Sequence, residues 1–199
     1  MSTDTGTSDH LPFHRSPEEL AAGVDHVRQS PRDAGSLDLV VVRPAKYQRR
    51  VLDTATLDLE LGVLGDTWIE RGSSRTADGG PNPDAQVTVM NSRAADLVAA
   101  TRERWALAGD QLYVDLDLST ENLPTGTVLQ IGDAQLEVTA APHTGCAQFK
   151  ERFGVEALRV TATPDGRFLR LRGINTRVVR GGEIRPGDTV RVVRPEGTA

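Results

Sequence analysis

The sequence predicts a mainly β domain, a barrel or a sandwich, with short connecting helices. Apolar and polar residues alternate over short runs, glycine, proline and aspartate turns bound those runs, and helical periodicity is confined to brief segments. Many short strands at close spacing argue against repeated strand–helix units.

The chain of 199 residues begins with a stretch, residues 1–15, rich in Ser, Thr, Asp and Gly. It is expected to be a disordered tail, because it has few apolar side chains to offset the entropy of ordering. A helix with a linker follows over residues 16–36. Ser16 can cap it, Pro17 suits the first helical position, and Glu19 completes a capping box. Leu20, Val24 and Val27 form one apolar stripe, and Pro31 and Gly35 close the segment.

Residues 37–195 form the expected barrel domain. Leu37 to Val42 reads as a buried strand, and Ala55 to Leu61 as an alternating one with Leu57, Leu59 and Leu61 on one face. Gln86 to Met90 is a further strand. Val128 to Ile131 and Gln135 to Ala140 flank the turn Gly132-Asp133 and form a hairpin. Ile174 to Val179 and Thr189 to Val193 end the domain, separated by Gly181-Gly182 and Pro186-Gly187-Asp188. Three short helices interrupt the strands. One is capped by Asn91 or Ser92, one runs from near Cys146 to Gly154, and a weaker one covers Val155 to Val160. The 13 residues from Gly72 to Asp84 form a long loop of the kind that usually carries function or moves.

Composition narrows the function. A net charge of −5 lacks the basic footprint of a nucleic-acid binder, and no apolar run reaches the roughly 20 residues of a membrane span. A single cysteine excludes an internal disulfide and suits the cytoplasm. Of 23 basic residues only Lys46 and Lys150 are lysines, and arginine is the better bidentate partner for carboxylate or phosphate. Phosphate loops, dinucleotide fingerprints, zinc signatures and serine-hydrolase elbows are absent. What remains is Pro142-His143-Thr144-Gly145-Cys146, between a strand and a helix. A cysteine at a helix N-terminus faces unpaired N–H groups that favour an anion, and a thiolate is both nucleophile and soft metal ligand. On spacing alone, a lone cysteine is more often a small buried apolar residue.

An ordered series of motifs resembles the MOSC domain, named after the C-terminal domain of molybdenum-cofactor sulfurases. Gly109-Asp110-Gln111-Leu112-Tyr113-Val114-Asp115-Leu116-Asp117-Leu118 and Glu121-Asn122-Leu123-Pro124 carry it. So do Leu136-Glu137-Val138-Thr139, His143-Thr144-Gly145-Cys146, Arg172-Gly173-Ile174-Asn175 and Gly187-Asp188, with Gly65-Asp66 upstream. The likeness covers residues 37–193. Thr67-Trp68 departs from it, standing where many members have a basic residue and a histidine.

The resemblance implies a stand-alone bacterial β-barrel whose Cys146 binds the molybdenum of a molybdopterin cofactor or carries a persulfide. The implied activity is reduction of N-hydroxylated small molecules, purine- or amidoxime-like, with an external electron donor. The alternative is a non-catalytic sulfur or cofactor carrier acting with a partner protein, and a cysteine hydrolase using Cys146 and His143 is a third reading. Cys146 and His143 are the expected catalytic residues, and Cys146 the metal ligand. Thr144, Gly145, Arg71, Arg93, Arg170 and Arg172 are the expected cofactor contacts, the arginines for its phosphate. Pyridoxal phosphate is not expected, because the family's sulfurases carry it in a separate domain.

Overall fold

The valine-rich run at the start of the domain forms β1 (Ala34–Val42), and the computed structural model, which describes residues 13–194, closes a barrel around it. One edge of β1 pairs with β6 (Leu112–Asp115), with a register shift between Leu37 and Leu39 that leaves Asp38 as the extra residue of a bulge. A bulge bends its strand. The start of β1 pairs with β11 (Thr189–Val193) and its end with β2 (Arg50–Leu52). From β6 the ring continues through β5 (Val87–Asn91), β9 (Ile174–Arg180), β8 (Ala134–Val138) and β7 (Val128–Ile131), and returns through β11 to β1. Among the described residues only β5–β6 is a parallel pair, so the barrel is mixed. Closure removes the free edges that an open sheet would expose. A small second sheet joins β3 (Ala55–Asp58), β4 (Gly62–Val63) and β10 (Gly182–Ile184).

Two cores explain the sequence pattern. Val40 and Val42 of β1, Val89 of β5 and Leu112 and Val114 of β6 point into the barrel. Leu39, Val41, Met90 and Tyr113, from the same strands, point outward against α1 (Pro17–Arg28), α2 (Ser92–Ala99) and α3 (Ala147–Ala162). A strand buried on both faces reads as a continuous apolar run. The helices therefore connect strands, as expected, and also build a second core.

Local signals held where their chemistry is local. Ser16 and Glu19 form the reciprocal capping box of α1, with Leu20 and Val27 buried, and Asn91 accepts from the Arg93 and Ala94 amides to cap α2. The strand expected over Ala55 to Leu61 stops at Asp58, whose Oδ1 accepts from the amides of Glu60 and Leu61 and turns the chain. Leu59 and Leu61 are consequently exposed, not core. The two helices expected on either side of Gly154 meet at a kink there, at φ 89°, against the His14 ring. A short helix, α4 (Pro164–Phe168), and a 3₁₀ helix over Arg102–Ala108 complete the fold. Of the expected tail, residues 1–12 lie outside the described residues. Phe13 is held by Arg104 through its carbonyl, and Arg15 by Glu19.

Candidate functional site

The site begins where Gly109, at φ 94°, ends the 3₁₀ helix and turns the chain into β6. The next residue, Asp110, is completely buried, and a buried carboxylate needs partners. Arg172 Nη1 donates to Asp110 Oδ2 at 2.6 Å and His143 Nε2 meets Asp110 Oδ1 at 2.6 Å. Arg172 also donates from Nη2 to the Ala108 carbonyl at 3.0 Å and lies over the Phe149 ring at 5.0 Å. Its Nε is buried with no hydrogen-bond partner.

Electrostatics fix the protonation states. Burial alone pushes the Asp110 carboxyl up, but attraction to Arg172 and His143 outweighs it and holds the pKa at about 2. Burial, then the Arg172 charge, push His143 below its ordinary value, so its ring is neutral at pH 7. A carboxylate only accepts, so the 2.6 Å contact requires the proton on Nε2, and Nδ1 carries the free lone pair. The Arg172–His143 approach at 2.9 Å is then a close contact between two donors, tolerated because both face one carboxylate.

Cys146 is the N-cap residue of α3, in extended backbone with no side-chain cap bond, and its thiol is exposed. Phe149 and Phe153 are buried and anchor α3 in the second core. The segment before it, including His143, Thr144 and Gly145, lines a cavity of about 390 Å³ together with Leu158, Arg170 and Arg172. A Cβ at Gly145 would sit 2.2 Å from Leu158 Cδ1, so glycine lets the loop pack on α3. The long loop approaches as well, Arg75 Nη1 donating to the Pro142 carbonyl at 3.2 Å.

The expected arginines separate. Arg172 is in the buried network. Arg170, at φ 49°, lines the cavity while donating to the Leu118 and Leu123 carbonyls. Arg71 is exposed and donates to Thr67 Oγ1. Arg93 is committed to Asp115 and the His26 carbonyl, where it ties α2 to β6 and α1, and it lines no part of the cavity. Arg93 thus serves as a staple between elements.

Asp110 is the residue of the candidate site that sequence reasoning did not single out. Its signal was a carboxylate at the mouth of the apolar run Leu112–Val114, which has to find a buried cation. Asp66 plays a related structural part. Its side chain is fully buried and accepts from Arg43 N, Nε and Nη2 and from the Trp68 amide, while Arg43 Nη1 donates to the Gly109 carbonyl at 3.1 Å. This clamp fixes the Gly109–Asp110 turn. Trp68, in place of the family's histidine, is buried.

A closed mixed barrel with one exposed thiol beside a buried Asp–His–Arg network defines a small single-cysteine site domain. Residues 74–191 match the profile of the MOSC domain, and the chain belongs to that family. The fold is similar to that of the YuaD protein of Bacillus subtilis, at 17% identity and a TM-score of 0.56, with 80% of this chain and 95% of that one covered. It is also similar to YiiM of Escherichia coli, at 18% identity and a TM-score of 0.52, with 82% and 72% covered. No curated protein matches the sequence. Among the described residues, no helix is long and apolar enough to cross a membrane, and no group of three or more His, Cys, Asp or Glu side chains converges as a metal cage.

Proposed function

We propose that this protein holds a molybdenum–pterin cofactor through the Cys146 thiolate and reduces N-hydroxylated small molecules with electrons from a separate donor protein. The observation that carries the reading is the exposed, unengaged thiol at the N-cap of α3, next to a cavity walled by His143. The residues fit such a group. A sulfur-rich metal centre needs one soft protein ligand and no carboxylate cage, and the buried, unpartnered Arg172 Nε is a donor left over by the fold.

When bound, the cofactor supplies a two-electron metal centre suited to oxygen-atom removal. The reaction R–NHOH + 2e⁻ + 2H⁺ → R–NH₂ + H₂O breaks the N–O bond and consumes two protons. His143 offers Nδ1 as the proton-carrying atom, with Asp110 holding Nε2–H and stabilising the ring whenever it is charged. Arg172 fixes Asp110, and the cavity of about 390 Å³ gives a small planar substrate a place beside the loop. The pairing of Cys146 with a soft metal and of His143 with the proton explains why both lie on one five-residue segment.

Cofactor-loaded protein supplied with a chemical reductant should convert an amidoxime to its amidine, or an N-hydroxylated purine to its aminopurine, with release of water. Cys146→Ser should abolish turnover, and His143→Asn should lower kcat by roughly 10²–10⁴-fold, the span typical of general acid–base groups. Full turnover by Cys146→Ser would overturn the reading. The carrier alternative draws on the same exposed thiol, and it predicts a mass gain of one sulfur atom on Cys146 with no turnover.

A further inference from the structure

The cavity beside the His143 loop carries a positive charge that the fold leaves unanswered. Arg167, Arg170 and Arg172 all line it, and no Asp or Glu side chain does. Arg172 is matched by Asp110, while its Nε stays buried without a partner. Arg170 donates from Nη1 to the Leu118 and Leu123 carbonyls, which satisfy hydrogens but cancel no charge. Arg167 bonds through its backbone, its amide donating to the Thr163 carbonyl, and among the described residues its guanidinium has no hydrogen bond or ion pair. The acids near it in sequence are taken: Asp165 pairs with Arg28 at 2.7 Å, and Glu156 with Arg159.

Packing fixes where these cations stand. A Cβ on Gly166 would lie 2.0 Å from the Val160 carbonyl oxygen, so glycine is what lets α4 close on the end of α3, and Arg167 follows it directly. Arg170 sits just past α4 at φ 49°, a position where glycine is the usual choice. Most of the remaining wall is apolar, with Leu158, Ile174, Pro142 and Ala162. Apolar walls with a few fixed polar groups are the make-up of a small-ligand site. With cations and no acid among those groups, the wall favours a flat apolar body that bears a negative charge. A carboxylate, singly charged and planar like the guanidinium fork, suits one unpartnered arginine better than a phosphate dianion does.

We infer that Arg167, with Arg170 adding its charge, makes this cavity selective for ligands that bear a carboxylate. On the reductase reading, Arg167 is a specificity residue and the substrate is an N-hydroxylated carboxylic acid. Its carboxylate meets Arg167 and its N–O group meets His143, which lines the same cavity. Only the role as substrate rests on that reading; the selectivity for a carboxylate stands on the cavity.

The test uses the full chain made without cofactor, with benzoate as the probe and benzamide as its uncharged counterpart. Calorimetry should show benzoate binding more tightly than benzamide, by a margin that shrinks as salt is raised. Arg167→Gln should weaken benzoate binding about fivefold or more, the loss of one charge-assisted hydrogen bond at an open site, and leave benzamide binding unchanged. Arg167→Lys should keep part of the preference, and Arg167→Glu should reverse it. No benzoate binding, equal binding of the two probes, benzoate affinity untouched in Arg167→Gln, or tighter binding of inorganic phosphate than of benzoate would overturn the inference. In cofactor-loaded protein, 4-carboxybenzamidoxime should show a lower KM than benzamidoxime at a similar kcat, and Arg167→Gln should raise only the first KM. Turnover of both amidoximes with equal KM sinks the selectivity and leaves the reductase reading standing. Benzoate selectivity without turnover of either amidoxime sinks the reductase reading and leaves the selectivity standing.

Discussion

At the residue scale the decisive group is Asp110. It is buried and charged, and two side chains from far along the chain, His143 and Arg172, satisfy it at sequence separations of 33 and 62. Removing the charge while keeping the shape, as in Asp110→Asn, leaves Arg172 buried without a counterion, and should cost about 3–5 kcal/mol in urea unfolding. The same triad sets an acid response. His143 has its pKa depressed from 6.5 in the folded protein, so below that pH the unfolded chain takes up a proton that the folded one refuses, and stability falls. Asp110, depressed from 3.8 to about 2, adds stability above 3.8 that is lost as pH falls towards 2. Both groups therefore make the protein acid-labile. His143→Asn should flatten the limb near pH 6 in a stability-against-pH curve and leave the lower limb in place. A wild-type curve that rises on acidification from pH 7 to 5 would contradict these assignments.

At the element scale, what was legible is what local chemistry writes. The capping box of α1 involves Ser16 and Glu19 three residues apart, so the sequence displays it whole, and Ser16→Ala should cost about 1 kcal/mol in thermal unfolding. The β7–β8 hairpin and the placement of Cys146 at a helix start were legible for the same reason. The strands β2, β4 and β10 have only two or three residues, too few to show a period. Leu59 and Leu61 kept a strand's alternation through a turn that the Asp58 side chain makes, so the pattern overran the element. At the kink of α3, Gly154 adopts φ 89° against the His14 ring, a conformation that L side chains strongly disfavour. Gly154→Ala should therefore lower the melting temperature, whereas an ordinary helical glycine would gain from the change.

On the scale of the whole molecule, the site is a product of barrel closure. The Gly109–Asp110 turn enters β6, Arg172 leads into β9, and His143 lies between β8 and α3, so only the paired register of these strands brings them together. Sequence alone carried the motif order, and with it the family and Cys146. It could not carry the meeting of Arg43 and Asp66 with the Gly109 carbonyl, because they lie on separate segments that only the fold brings together. It also could not separate Arg93, bound to Asp115, from the arginines that face the site, because all four expected arginines look alike as letters.

The division of labour proposed for the loop, with a metal at Cys146 and a proton at His143, makes molybdenum content the most direct measurement. Wild type and Cys146→Ser should be purified from a host that makes the cofactor and compared for molybdenum per chain. The account predicts close to one metal per chain in the wild type and its loss in the variant, with the thermal midpoint of the cofactor-free proteins unchanged because the thiol is exposed. Equal molybdenum in both proteins, or none in either, would contradict it.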